Sequence, residues 1–277
     1  MALAVRAANP EDLPTIATLT RSKRRQLADW EPGFWALAEG ADERHRAWLE
    51  RLVSSDHIIS RVAVDGDDVV GFAVSLPREE GWIIDDVCLS PERWDEVGQV
   101  LLAEIVERPA LTCVPHADVS QACAFREAGW TAISQYRLLR LARHAVPSDP
   151  EVTPRRPTAF VLPAPSTFRL DPEDPDALVL LDRDGGHIAG SGSTQAPGIY
   201  APGGTTCVVD RIEGARRDRL IAALTAAAAD RGDVQVLLVA RSDDAQLLSW
   251  LDGQGWRHPV DVVASPGWSS PKPGGMR

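Results

Sequence analysis

The apolar pattern of the first half of the chain switches repeatedly between strand and helix. Leu3 to Ala8 reads as a short strand, and Asn9-Pro10-Glu11-Asp12 then opens a helix with acids in its first turn. A second helix is predicted from about Pro32 to Leu52. His57 to Val64 and Val69 to Ser75 are β-branched runs around Asp65-Gly66-Asp67-Asp68, the signal of a hairpin. Trp82 to Leu89 is a further strand, and Val97 to Val106 has helical periodicity. Ala110 to Val114 is a near-continuous apolar run, as in a strand buried on both faces. Ser120 to Ala128 is helical and stops at Gly129, a residue suited to ending helices. Trp130 to Leu141 closes the unit as a strand.

Arg143 to Pro157 changes character. Pro147, Pro150, Pro154 and Pro157 stand among charged residues, which is linker composition. The earlier order then returns. Asp65-Gly66 and Val70-Gly71 are matched by Asp184-Gly185 and Ala189-Gly190, each 119 residues later. Trp82 to Val87 is matched by Cys207 to Ile212, and Leu111 to Asp118 by Leu237 to Asp244. Asp118 stands 11 residues before Gly129-Trp130, and Asp244 stands 11 before Gly255-Trp256. Agreement in order, element type and spacing predicts a tandem duplication. The expected organisation is a domain over 1–142, a linker over 143–157 and a truncated second domain over 158–277. The second is shorter because Thr158 to Ala177 is too short and Pro-rich for two long helices. Its stretch from Ile212 to Leu220 is also 8 residues, against 14 from Val87 to Leu101.

Composition narrows the function. The 277 residues are 44% hydrophobic and 25% charged, enough side chain to bury a core. The formal charge of −11 makes the chain a poor partner for a phosphate backbone, so no nucleic acid is expected. No apolar run approaches the roughly 18 residues that span a bilayer, and Met1 to Arg6 does not read as a signal peptide. The expectation is a cytoplasmic protein with no membrane partner. The four cysteines, Cys88, Cys113, Cys123 and Cys207, form no C-x-x-C pair, so no metal site is expected and buried free thiols are the plainer reading.

Two segments carry a resemblance. Val87-Cys88-Leu89-Ser90-Pro91-Glu92-Arg93-Trp94-Asp95-Glu96-Val97-Gly98-Gln99-Val100-Leu101-Leu102 resembles a strand end followed by an anion-binding loop that opens a helix. Asp118 to Trp130, ending Phe125-Arg126-Glu127-Ala128-Gly129-Trp130, resembles a second signature of the same superfamily. With the element order, this is similar to the GCN5-related N-acetyltransferase (GNAT) superfamily, over Leu3 to Leu141 and more loosely over Thr158 to Val263. The resemblance implies an α/β fold: two tandem acyl-CoA N-acyltransferase (GNAT-like) units with mixed central sheets. It implies acetyl-CoA as co-substrate and a small-molecule amine as acceptor. It also implies coenzyme contacts at Val87, Cys88, Leu89, Arg93, Val97, Gly98, Gln99, Asp118 and Phe125.

Within the loop, Arg93 and Gly98 keep the expected types. Glycines let a diphosphate approach main-chain N–H groups at a helix start. Trp94, Asp95 and Glu96 depart from the pattern with bulk and negative charge. Phe125 stands where many members carry a tyrosine that protonates the leaving thiolate, and Leu251 is its counterpart in the second half. No coenzyme is expected at the second copy's Glu213-Gly214-Ala215-Arg216-Arg217-Asp218.

Acyl transfer to an amine needs a base. Asp85 and Asp86 are the candidates, expected on opposite faces of a strand. Asp210 repeats Asp85, which leaves Asp86 as the specialised one; solvated or capping carboxylates are the plainer reading of both. His116, just past the fifth strand, is a third candidate, and a surface histidine without a role is the plainer reading. Glu79 and Glu80 read as a solvated pair. Trp30, Phe34, Trp35 and Trp48 are core packing or an aromatic wall for the acceptor. Arg21, Lys23, Arg24 and Arg25 are a solvated helix face or a contact for an anion. The alternative function is a non-catalytic GNAT-like scaffold, or a module binding a ligand or partner. Tandem sheets with exposed edges leave a homodimer open.

Overall fold

The computed structural model describes residues 3–78, 81–106, 109–141, 151–155, 177–193, 199–200 and 204–269. Glu79, Glu80, and residues 142–150 and 156–176 of the expected linker and second domain lie outside these. The first half runs β1 (Leu3–Ala7), α1 (Leu13–Trp30), α2 (Pro32–Trp35), α3 (Ala41–Val53), β2 (Ile59–Asp65), β3 (Asp68–Arg78), β4 (Gly81–Leu89), α4 (Gln99–Ile105), β5 (Ala110–Pro115), α5 (Val119–Glu127) and β6 (Thr131–Arg140). Asn9 and Asp12 start the first helix by a reciprocal cap: Asn9 Oδ1 accepts from Glu11 N at 2.9 Å and Asp12 Oδ2 from Asn9 N at 2.8 Å. The expected helix from Pro32 to Leu52 is broken in two, because Gly40 takes a left-handed φ of +67° before α3.

The second half repeats the order: β7 (Val152–Arg155), β8 (Leu178–Asp182), β9 (His187–Ser193), β10 (Thr206–Glu213), α6 (Arg217–Arg231), β11 (Gln235–Arg241), α7 (Ala245–Gly253) and β12 (Arg257–Ala264). β7 falls inside the stretch whose prolines read as linker. It pairs antiparallel with β8 from Val152↔Asp182 to Arg155↔Val179. It ends the strand order of its sheet, where the missing N–H of Pro154 is tolerated. Only residues 156–177 separate β7 from β8, where residues 8–58 separate β1 from β2, so the second copy is the shorter one.

The duplication is visible down to single residues. Asp85 is an extra residue in β4, between the pairs Val74↔Asp86 and Ser75↔Ile84. Asp210 is the extra residue in β10, between Val209↔Gly190 and Arg211↔Ala189. Both are β-bulges against the preceding hairpin strand. Asp118 and Asp244 cap α5 and α7 by accepting from Gln121 N at 3.0 Å and Leu247 N at 3.2 Å. Gly129 (φ +81°) and Gly255 (φ +78°) end those helices, and Trp130 and Trp256 are buried directly after them.

Two compact units form, and they do not follow the sequential halves. The first holds Met1–Ala132, Pro197–Ala201 and Asp261–Arg277; the second holds Ile133–Ala196 and Pro202–Val260. In the first, the strand order is β1-β2-β3-β4-β5, completed by the end of β12; Ser265 N donates to Ala110 O at 2.9 Å. In the second, the order is β6-β11-β10-β9-β8-β7, with Ser134–Arg140 antiparallel to β11. Each sheet is mixed, because β4–β5 and β10–β11 are parallel while the hairpins are antiparallel.

The first unit has two apolar layers. Trp94, Val97, Leu101, Ile105, Phe125 and Trp130 pack with Val87 and Leu89 of β4. Ile16, Leu49 and Leu52 of α1 and α3 pack with Val62, Phe72 and Val74. Ahead of α4, Pro91–Arg93 and Trp94–Gly98 wind into one tight and one wide turn. Gly98 is needed there because a Cβ would stand 2.5 Å from Trp94 Cε3. Gly98→Ala is therefore expected to cost about 1–3 kcal/mol by overpacking, and Trp94→Leu in the same chain should recover part of it. Urea unfolding followed by circular dichroism measures both; an unchanged midpoint in Gly98→Ala would show that the indole gives way freely.

Candidate functional site

The central sheet of the first unit opens in its middle. β4 and β5 pair in parallel at Trp82↔Ala110, Ile83↔Leu111 and Ile84↔Thr112, and their register ends there. At the parting point Thr112 Oγ1 donates to Ile84 O at 2.8 Å, so a side chain replaces the next rung for that carbonyl. Past the bulge, the main chain of Asp86 to Leu89 keeps its pairing to β3 but has no strand partner on the β5 side among the described residues. Val87, Cys88 and Leu89, expected to contact coenzyme, lie along this edge with buried side chains.

The bulge at Asp85 sets two carboxylates at the mouth of the opening. Strict alternation would have put Asp85 and Asp86 on opposite faces. A bulge opposes two residues to one and breaks that alternation, so the two carboxylates are no longer held to opposite faces. Asp85 keeps an accessible side chain there. Desolvation, reinforced by the charge of Asp86 and opposed by Arg78, pushes the Asp85 carboxyl up to about 7. Asp86 is more enclosed, and its Oδ2 lies 3.3 Å from Nε2 of His45. His45 is 3% exposed, and its Nδ1 lies 3.5 Å from Thr20 Oγ1.

Helices α1 and α3 supply the rest. The buried stripe of α1 is Ile16, Thr20, Arg24 and Leu27, and that of α3 is Ala41, His45, Leu49 and Leu52. Arg24 Nη2 donates to Asp42 Oδ1 at 2.7 Å, and Arg21 Nε lies 2.9 Å from Asp42 Oδ2. The hydrogen bond from Arg24 holds the Asp42 carboxyl below the usual carboxylate range. Lys23 pairs with Asp118, donates to Gln121 Oε1 at 3.1 Å and sits 5.2 Å from the ring centre of Trp30. Arg25 is exposed. Phe34 and Trp35 meet edge to face at 4.4 Å. Tyr200 packs on Trp35 at 5.0 Å; it is held by a bridge to Leu37 and by Ala38 N donating to Ile199 O at 3.0 Å. Burial pushes the Tyr200 phenol well above its ordinary range, so its hydroxyl stays protonated. Burial likewise pushes the Cys88 thiol up, which makes it a poor nucleophile.

The other expected site residues have structural partners. Arg93 donates to Asp65 Oδ2 at 3.0 Å and Glu96 Oε2 at 3.2 Å. Val97 is buried against Gly71. Gln99 ties α4 to α5 by donating to Ala124 O at 3.0 Å. Asp118 is a buried helix cap. Phe125 is buried between Trp94 and Trp130. His116 is exposed, and its Nδ1 lies 3.3 Å from Asp261 Oδ2. Trp48 packs against His45 at 5.3 Å. Cys88 and Cys207 are buried, while Cys113 and Cys123 are only partly so. In the second unit, β10 and β11 part after Val209↔Leu238, and Arg217 is engaged by the capping carboxylate of Asp244. Among the described residues, no helix is long and apolar enough to cross a membrane.

The residues that sequence reasoning missed are His45, Asp42, Thr112 and Tyr200. His45 had a signal: it stands on the apolar stripe of α3, between Ala41 and Leu49, where a polar residue needs a reason. Tyr200 had none, since its place beside Trp35 depends on a tertiary contact with the other half of the sequence.

No protein-family model and no curated relative matches the chain. Among solved structures, it is similar to a GCN5-related N-acetyltransferase from Sphaerobacter thermophilus, at 17% identity over 95% of each chain and a TM-score of 0.56. It is more loosely similar to a tandem GNAT protein from the clavulanic acid biosynthesis pathway, at 14% identity over 95% of this chain and 98% of that one, TM-score 0.48. An N-acetyltransferase from Thermoplasma acidophilum in complex with coenzyme A is similar at 16% identity over 48% of this chain and 91% of that one, TM-score 0.36. The fold rests on the first of these likenesses: the chain has the GNAT fold, built twice in tandem with the second copy truncated.

Proposed function

We propose that the first unit is an acetyl-CoA-dependent N-acyltransferase acting on a small amine. The observation that carries this is the parting of β4 from β5 next to an accessible carboxylate poised near neutrality. The unpaired edge of Asp85 to Leu89 offers main-chain N–H groups for a thioester carbonyl and its oxyanion. Asp85 accepts a proton from the incoming ammonium. The freed amine attacks the thioester carbon, forming the C–N bond; the nitrogen sheds its second proton to solvent, the C–S bond breaks and the thiolate takes a proton. Phe125 has no hydroxyl to supply that proton, so it comes from solvent or from the protonated Asp85. Asp86, held by His45, keeps the Asp85 carboxyl high by its charge. A diphosphate would meet the loop from Arg93 to Gly98, where the half-buried Arg93 is shared with Asp65 and Glu96.

That sharing favours a second reading, a unit that has kept the fold and its cleft while losing the coenzyme. Thermal melting separates the two. Acetyl-CoA at 100 times its dissociation constant is expected to add about 2.7 kcal/mol of stability, and Glu96→Gln should tighten binding by removing a repelling charge. No shift with millimolar acetyl-CoA would leave the second reading.

If Asp85 is the base, kcat/KM rises with pH through about 7 and levels off above it. Asp85→Asn should flatten that profile and lower turnover by about 10²–10⁴ while leaving acetyl-CoA binding intact. An unchanged pH profile would move the base elsewhere.

Stability gives an independent reading of the same group. The raised carboxyl binds its proton more tightly in the folded chain, so its contribution is fully present at low pH and is lost as pH rises through about 7. Asp85→Asn should therefore melt higher than wild type at pH 8, with the difference closing toward pH 4. A constant difference across that range would contradict the raised carboxyl.

A further inference from the structure

Arg24 is a buried cation with spare donors. It is 4% exposed, and its Nη2 is committed to Asp42, while Nε and Nη1 are buried with no acceptor among the described residues. A guanidinium presents five N–H groups in a planar fork matched to a carboxylate. Leaving such donors buried and unmet is costly enough to need a reason. Trp35 Nε1 is also buried without an acceptor. Tyr200 packs on Trp35 with ring centres 5.0 Å apart, and Thr20, one turn before Arg24 on the buried stripe of α1, lies 3.5 Å from His45, whose other nitrogen lies 3.3 Å from Asp86. Donors from Arg24, Trp35 and Tyr200 thus stand within a short span of the acceptors Asp85 and Asp86. Phe34 and Trp35 add apolar surface beside them.

We propose that this end of the first unit binds a zwitterionic α-amino acid, its carboxylate on Arg24 Nε and Nη1 and its amino group toward Asp85. Tyr200, supplied by the second half of the sequence, donates to the same ligand and fixes its orientation. A small ligand carrying both an amine and a carboxylate fits because the cation of Arg24 and the carboxylate of Asp86 are joined through only Thr20 and His45. The inference deepens the transferase reading by naming its acceptor, yet the binding it claims does not depend on coenzyme.

Calorimetry of the full chain, without coenzyme, against each common L-amino acid and its carboxamide tests it. At least one amino acid is expected to bind about tenfold or more tightly than its carboxamide. Arg24→Gln should erase that preference, and Tyr200→Phe should weaken the amino acid several-fold with unchanged melting. No binding by any amino acid, or equal affinity for acid and carboxamide, would overturn the proposal, as would a folded Arg24→Gln that keeps the preference. If Arg24→Gln does not fold, the wild-type comparison and Tyr200→Phe decide, and unchanged affinity in Tyr200→Phe counts against it. Amino-acid binding with no acetyl-CoA shift would keep this site and remove the transferase reading.

Discussion

A β-sheet can open in its middle only if the groups released by the parting strands find other partners, and the first unit depends on how that is done. β4 leaves β5 after Ile84↔Thr112, and the Thr112 hydroxyl takes the Ile84 carbonyl that would otherwise be stranded. The bulge at Asp85 absorbs the change of direction while β4 stays registered to β3. The opening therefore has a firm wall on one side and free main chain on the other. Both carboxylates sit at its mouth because the bulge places them there.

The tandem copy serves as an internal control for which features belong to the fold. The second unit keeps the bulge, at Asp210, and the early parting of its parallel strands. It also keeps the aspartate cap, with Arg217 on Asp244 where the first unit has Lys23 on Asp118. Features found in both copies are requirements of this architecture. Asp118 is one of them, and its pairing with Lys23 is a helix-start device rather than a specialised contact. The cluster of Thr20, Arg24, Asp42 and His45 lies on α1 and α3, with Tyr200 beside it. Together with the carboxylate carried by the bulge, Asp85, this cluster is where the first unit carries polar groups beyond what the fold demands.

Much of the fold was legible because its signals are local. The hairpin at Asp65-Gly66, the apolar run of β5 and the stop at Gly129 each depend on a few adjacent residues, and the matching spacings located the duplication. The linker reading missed β7, since Pro154 is tolerated on an edge strand that composition cannot distinguish from coil. The alternation rule separated Asp85 from Asp86, and a bulge, which leaves no mark in a single sequence, overrode it. The aromatic and basic residues of α1 and α2 could be proposed but not ranked. Ranking Arg24 over Arg21 and Arg25 needs the helix phase, which buries Arg24 and leaves the other two exposed.

The departures in the coenzyme loop weigh less than they do on paper. Trp94 restricts approach to the main chain only if its indole lies over the loop; it is instead turned into the core beside Phe125, where the absent Cβ of Gly98 makes room for it. Arg93 is held by Asp65 and Glu96, but Glu96 is 66% exposed and Asp65 39% exposed. Exposed pairs of this kind are weak and screened, so a diphosphate competes with them at little cost. What the loop lacks is attraction, since Asp95 and Glu96 bring negative charge to the place where an anion must settle. A coenzyme bound here would be held less by its phosphates than by the arm lying along the open edge of β4. Its affinity should then fall only shallowly with added salt, because few of the contacts that salt screens contribute to it.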